Sequence, residues 1–193
     1  PGGGSMRVSA VRIRWKALFL FAALALALSG PQAVAQMPPQ DSGRWVKKAS
    51  MPIPRTEISV AELNGKMYVA GGYVPGSVTS YLLQEYDPAK DAWRELARMP
   101  MGLNHVGLVG HAGKLYVFGG FIRQNQDPVD NAFVYDPAAN RWSELAPLTS
   151  KRGAIAPVSL SGKIHLLGGA VGVGFRQRKS VNLHEVYDPA ANS

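Results

Sequence analysis

The residues with the types and spacing to do chemistry are few and scattered. Four histidines, His105, His111, His165 and His184, are spread along the chain and form no cluster, and no pair has the spacing of a metal site. There is no cysteine, which excludes thiol chemistry, a disulfide framework and lipid attachment at a cysteine. Gly172-Val173-Gly174 lacks the third glycine and the following helix of a dinucleotide loop. Asp127 and Asp130 flank Pro128, a pattern that reads as a turn before it reads as a calcium site. Phe175-Arg176-Gln177-Arg178-Lys179 sets a basic run beside an aromatic ring, suited to an acidic sugar or, more plainly, to a solvated loop. An arginine can grip a carboxylate through paired N–H donors. No Ser-His-Asp or Cys-His constellation is legible, and neither a cofactor nor a metal is expected.

The elements that must position these residues follow from a repeat. Gly113-Lys114-Leu115-Tyr116-Val117-Phe118-Gly119-Gly120 has counterparts at Gly65-Lys66-Met67-Tyr68-Val69-Ala70-Gly71-Gly72 and Gly162-Lys163-Ile164-His165-Leu166-Leu167-Gly168-Gly169. The spacings are 48 and 49 residues, a period that sets the architecture. Tyr86-Asp87-Pro88 returns as Tyr135-Asp136-Pro137 and Tyr187-Asp188-Pro189, and Trp93 and Trp142 each follow their tyrosine by seven positions. The apolar run is too short for a helix and is bounded by turn residues, so it is a strand. Being apolar on both faces, it suits a sheet covered on both sides. The paired glycines end that strand and admit a close neighbour, and the Tyr and Trp rings are expected to fill the space they leave. Asp-Pro forces a turn. The Trp opens a further strand, and another precedes each Gly-Lys turn, as in Ile58-Ser59-Val60-Ala61-Glu62-Leu63. Each period therefore holds four strands.

This pattern resembles the kelch repeat over residues 44–193, with Gly-Gly ending the second strand, Tyr before a turn and Trp in the fourth strand. The resemblance implies an all-β fold, a kelch-type β-propeller with one four-stranded blade per repeat. Residues 44–50 read as a closing strand, since Arg44-Trp45-Val46-Lys47-Lys48-Ala49 matches the stretches around Trp93 and Trp142. Residues 51–97 and 98–146 read as two blades and 147–193 as a partial third, an incomplete arc of about three blades. A ring needs roughly four to eight. The reading is an arc of a larger ring of about six blades, with a short protein that dimerises as the alternative. The position after Ser193 is expected to be Trp, and open blade edges invite self-association.

Two loop types carry the candidate site. The loops after Gly-Gly, residues 73–80, 121–131 and 170–180, vary in length and composition while the strands around them repeat, which is where binding is usually placed. They supply Tyr73, Phe121, Arg123, Arg176 and Arg178. The loops leading into each first strand carry Arg55, Glu57, Asn104, His105 and Arg152. In kelch-like domains that position points polar side chains at the channel mouth, which makes these five ligand-binding candidates by resemblance. The bland reading of Arg55 and Arg152 is bonding to backbone carbonyls at blade junctions.

The resemblance implies a binding module presenting loops to a glycan or a protein. It also admits a carbohydrate-active enzyme, because N-acetylneuraminate epimerases are exported kelch propellers and rim Arg and Glu would suit a sialic-acid carboxylate and a proton transfer. Catalytic residues are not identified. Galactose oxidase shares the fold, but its copper site needs a Tyr cross-linked to Cys, which this chain cannot supply. A cell-envelope scaffold is a third reading.

Residues 1–5 precede Met6 and carry no fold signal. Residues 6–35 have the layout of a secretory signal: a basic stretch, an apolar run over 17–28, and Ala33-Val34-Ala35 at the cleavage position. That run is short against the roughly 20 residues a membrane span needs. Export to a periplasm or beyond is expected, with no membrane association after cleavage and a linker over 36–43. From Gln36 onward there are 17 basic and 13 acidic residues, a dispersed net of +4 that gives no reason to expect a nucleic-acid partner.

Overall fold

A computed structural model describes residues 43–123, 126–172 and 177–193. The signal-like segment, most of the linker, and Phe175 and Arg176 lie outside the described residues. The chain divides into two units, Pro1–Trp45 and Val46–Ser193. Of the first, residues 43–45 are described; they are exposed and carry no strand.

The second unit is built from three similar sheets. In blade 1, β1 (Ser59–Leu63) and β2 (Lys66–Ala70) are joined by the Asn64-Gly65 turn, and β5 (Leu83–Asp87) and β6 (Ala92–Glu95) by the Asp-Pro turn. They pair antiparallel in the order β1-β2-β5-β6. Blade 2 repeats this with β7 (Gly107–His111), β8 (Lys114–Phe118), β11 (Ala132–Asp136) and β12 (Arg141–Glu144). Blade 3 has β13 (Ala156–Leu160), β14 (Lys163–Leu167) and β17 (His184–Tyr187). The four-strand period holds in blades 1 and 2, blade 3 shows three strands among the described residues, and the three sheets stand side by side as an all-β arc. Residues 46–50, expected to continue a closing strand, carry none.

The second strands of blades 1 and 2 are largely buried, and both faces of β8 meet neighbouring blades, whereas β14 leaves Leu167 exposed. One apolar core lies between blades 1 and 2, around Tyr68, Leu108, Leu115, Val117, Phe133 and Tyr135. Another lies between blades 2 and 3, around Tyr116, Phe118, Ile155, Ile164, Leu166 and Tyr187. The first strands run side by side, β1 beside β7 and β7 beside β13. Within the first core Glu85, nearly fully buried, takes bonds from Arg94 and Lys66 and from the Tyr68 hydroxyl. Those partners, Arg94 foremost, hold its carboxyl down at about 2.

Register places the Gly-Lys and Asp-Pro turns at one end of each blade. There Asp87 Oδ1 accepts from Ala89 N–H at 3.0 Å, and Asp136 and Asp188 do the same in their repeats. Asp91, Asn140 and Asn192 have φ between 46° and 54°. Each Oδ1 accepts from the tyrosine of its own blade, at 2.5, 2.6 and 2.8 Å. Each also accepts a backbone N–H from the preceding connection, Ala49, Ala97 or Ala146, at 2.9 Å. Trp93 and Trp142 complete the clasp by donating to the carbonyls of Ala49 and Ala97 at 2.9 and 2.8 Å. The rings of Tyr86–Trp93 and Tyr135–Trp142 lie 5.0 and 5.1 Å apart.

The expectation that these rings fill the space beside the paired glycines is corrected. A Cβ on Gly71 would come within 2.4 Å of Leu103 O, and one on Gly119 within 2.2 Å of Arg152 O. The neighbour is the backbone of the next blade's lead-in loop, which bonds to the second glycine: Gly72 N–H to Leu103 O and Gly120 N–H to Arg152 O. Glycine is needed because backbone meets backbone, and because both positions have positive φ.

Candidate functional site

All the variable segments gather at the end of the blades opposite the clasps. Two of the variable loops contain short hairpins, β3 (Tyr73–Val74) with β4 (Val78–Thr79) and β9 (Phe121–Arg123) with β10 (Gln126–Pro128). A third pairs β15 (Ala170–Val171) with β16 (Lys179–Ser180). Single bridges then tie each lead-in loop to the hairpin of its own blade: Thr56 to Tyr73, Asn104 to Phe121 and Gly153 to Ala170. The two loop types are thus one surface.

The residue after each bridge has left-handed backbone, with φ of 52° at Glu57, 51° at His105 and 56° at Ala154. These residues form a ladder across the blades, His105 N–H to Glu57 O and Ala154 N–H to His105 O. The ladder brings side chains of neighbouring blades together. His105 Nε2 lies 2.9 Å from Glu57 Oε2, and its Nδ1 lies 2.8 Å from Asn104 Oδ1. The Asn104 amide is oriented by its own donors, since Nδ2 gives hydrogen bonds to Phe121 O at 2.8 Å and Arg123 O at 3.3 Å. Its oxygen therefore faces the imidazole, and that assigns a proton to Nδ1. The other ring nitrogen, Nε2, faces the Glu57 carboxylate. Burial pushes the His105 pKa below its ordinary value; Glu57 draws it back up and Arg178 lowers it further. Glu57 is half exposed, so the pair faces solvent on one side.

The surrounding residues extend this cluster. The Phe121 ring meets His105 edge-on at 5.8 Å between centroids, and the Arg178 guanidinium lies 5.3 Å from the Phe121 centroid. The Tyr73 hydroxyl reaches Arg123 O at 3.4 Å. The Arg123 side chain is largely exposed and is paired with Asp127 across its hairpin at 2.5 Å. The structure thus brings together Glu57, Asn104, His105, Tyr73, Phe121, Arg123 and Arg178.

Arg55 and Arg152 do not join them, and the expectation that they point at a ligand is corrected. Arg55 is buried and donates to Gly71 O at 2.8 Å, Leu82 O at 3.2 Å and Gln84 Oε1 at 2.7 Å. Arg152 is fully buried, with Ser150 Oγ at 3.1 Å and an ion pair to Glu185. The middle repeat has Leu103 at the same place, also fully buried, so the position is interior in every blade. The view of the histidines as unclustered is corrected too: His165 Nδ1 and His184 Nε2 are 2.9 Å apart, across β14 and β17.

Sequence reasoning missed the partnership of Arg123 with Asp127, which had been weighed only for a calcium turn. It also missed the exposed apolar residues of this end, Val78, Tyr81 and Ile122. Pro75-Gly76 was a legible signal for the first hairpin. Among the described residues no group of three or more metal-ligating side chains occurs, and no helix is long and apolar enough to cross a membrane.

The family description Kelch motif matches residues 54–100 and 103–149, two adjacent repeats that coincide with blades 1 and 2. Kelch repeats generally serve protein binding. Residues 54–100 and 103–149 are thus two kelch repeats, and they form two blades of an all-β arc.

Proposed function

We propose that this chain is an exported binding module that takes a protein ligand on the hairpin end of its blades. The observation that carries the reading is the convergence at one end of charged side chains, Glu57, Arg123 and Asp127, with exposed apolar Val78, Tyr81 and Ile122. A rigid repeated scaffold below and variable hairpins above is the usual division between support and recognition. Arg and aromatic residues are favoured anchors at protein interfaces. A glycan ligand is the narrower alternative. Tyr73 and Phe121, the rings a sugar would stack on, are buried, which favours protein. Export rests on the signal-like residues 6–35. The test is capture of proteins from the exported fraction on the immobilised chain, beside a glycan array. Retention of a defined protein that Glu57→Ala with Arg123→Ala abolishes is expected. Glycan binding without protein retention would overturn the protein reading.

A second reading, a sugar epimerase, is favoured by one observation, the 2.9 Å contact between His105 Nε2 and Glu57 Oε2. A carboxylate beside a partly buried imidazole can remove and return a proton at a carbon adjacent to a carbonyl. Incubation with N-acetylated amino sugars in heavy water tests it. Deuterium incorporation lost in Glu57→Gln supports an enzyme, and unexchanged sugar leaves the binding role.

A further inference from the structure

Near the clasp end, blade 1 differs from its repeats in three residues at once. Glu85 stands where blades 2 and 3 have Val134 and Val186. Lys90 stands where they have Ala139 and Ala191, and Arg94 where blade 2 has Ser143. A neighbouring pair recurs in every blade: Lys66 with Asp87 at 3.6 Å, Lys114 with Asp136 at 3.5 Å and Lys163 with Asp188 at 2.5 Å. Blade 2 closes its clasp without the three extra charges, so the scaffold does not need them. A buried ion pair is itself weak evidence for stability, because an apolar residue at the same place commonly serves as well. Val134, packed against the second core, is that apolar residue.

The extra residues build a fixed cationic opening. Both Glu85 oxygens are occupied. Arg94 Nε and Lys66 Nζ give to Oε1 at 2.8 and 2.7 Å, and Arg94 Nη2 and the Tyr68 hydroxyl give to Oε2 at 2.7 and 2.8 Å. Two bonds from one guanidinium to one carboxylate hold Arg94 in a single orientation. Its remaining nitrogen, Nη1, has no hydrogen-bond partner among the described residues. A cleft of about 350 Å³ lies here, lined by Lys66, Glu85, Asp87, Lys90, Trp93 and Arg94. These residues all belong to blade 1, so the cleft is whole within a single blade. The carboxylates are the covered members, with side chains 2% exposed at Glu85 and 16% at Asp87, against 33% at Lys66, 60% at Arg94 and 76% at Lys90. Three cations meet two carboxylates, a surplus of one positive charge that falls on the solvent side. In blade 2 the same place holds Lys114 and Asp136, with no surplus.

We propose that this cleft takes the phosphate group of a small monoester, a sugar phosphate in size, on Arg94, Lys66 and Lys90. A carboxylate carries one charge, which one arginine answers. A phosphate ester carries about −1.5 to −2 at pH 7 and several strong acceptor oxygens, which matches three cations around one opening. The guanidinium offers it a planar donor edge, and the two lysines meet it as point charges. Glu85 is a positioning residue: its oxygens are occupied by donors, and it holds the guanidinium that meets the anion. The cleft exceeds the anion alone and leaves room beside Trp93 for the organic part of the ester. The site lies at the opposite end of the blade from the hairpins and is independent of the protein-ligand reading. Its ligand is a small molecule, so it implies no protein contact at Lys90.

The test is titration calorimetry of the full chain with glucose 6-phosphate and with inorganic phosphate, in chloride buffer of constant ionic strength. Saturable binding of glucose 6-phosphate is expected, at least as tight as that of inorganic phosphate. Two variants locate the site. Lys90→Glu changes an exposed turn residue and keeps the fold, checked by thermal unfolding. Glu85→Val with Arg94→Ser installs the pair that blade 2 carries in the same fold, with the same check. Each variant should weaken binding of glucose 6-phosphate at least about tenfold. No saturable binding of either phosphate overturns the proposal. So does affinity unchanged in either variant, which would place the anion elsewhere or on diffuse charge. Tighter binding of inorganic phosphate than of the ester would overturn the monoester and leave free phosphate as the ligand.

Discussion

The two ends of each blade obey different rules. At the clasp end the same groups recur in all three repeats: an Asp-Pro turn, a Tyr hydroxyl, and an Asp or Asn whose oxygen also holds the preceding connection. At the hairpin end the bridge and the left-handed residue recur, but the side chains do not: Thr56, Asn104 and Gly153 at the bridge, Glu57, His105 and Ala154 after it. The backbone is fixed at both ends, while side-chain identity is fixed only where side chains hold the blades together. Variation is concentrated where the scaffold does not need a particular residue, and that is where a ligand can be read.

Alanine substitution of glycine should show this most strongly. Gly119→Ala places a methyl 2.2 Å from the Arg152 carbonyl at a φ of 57°. We expect a loss of about 3 kcal/mol or more. Gly113, in the turn at the opposite end, has φ 77° and nothing within 4 Å of the added carbon. There Ala should cost about 1 kcal/mol. Denaturant unfolding of the two variants measures the contrast. Equal costs would mean that the blades are not in backbone contact at Gly119.

The buried carboxylate of blade 1 should come next. Glu85 has its pKa depressed to about 2 by Arg94, Lys66 and Tyr68. A depressed carboxylate contributes stability that is complete above its unfolded value, about 4.3, and is lost as pH falls toward the folded value. We expect about 2–3 kcal/mol to disappear between pH 5 and pH 2 (approximate limits), and Glu85→Gln to flatten that part of the profile. An unchanged acid slope in the variant would remove Glu85 from the account.

The clasps should be smaller in effect. Asn140→Ala frees the Tyr135 hydroxyl and the Ala97 N–H, for about 1–2 kcal/mol by thermal unfolding. Asn140→Asp should retain most of it, since Asp91 makes both bonds in blade 1. Smallest is Arg123→Ala at the hairpin end. Its side chain is 70% exposed, so stability should move by less than about 0.5 kcal/mol while ligand capture falls.

Much of the scaffold was legible because its parts recur at one period. The strands, the turns and the Tyr–Trp pairing follow from Gly-Lys, Gly-Gly and Tyr-Asp-Pro. What was illegible depended on contacts between periods. The carbonyl packed on Gly119 comes from the next blade and leaves no local mark. His165 and His184 are neighbours only through the register of β14 and β17. Arg55 and Arg152 misled because arginine is usually exposed. The signal against that was Leu103, an apolar residue at the same place in the repeat. The cluster around His105 was half legible: its members were named, but the bridges that join two loops into one surface needed the fold.

The central claim is that recognition belongs to the hairpin end. A photo-reactive residue placed at Ile122, on the second hairpin, and another at Lys90, in the Asp-Pro turn, test it directly in the cell that makes the protein. The account predicts a discrete protein adduct from position 122 that Arg123→Ala removes, and none from position 90. An adduct from position 90 with none from 122 would contradict it.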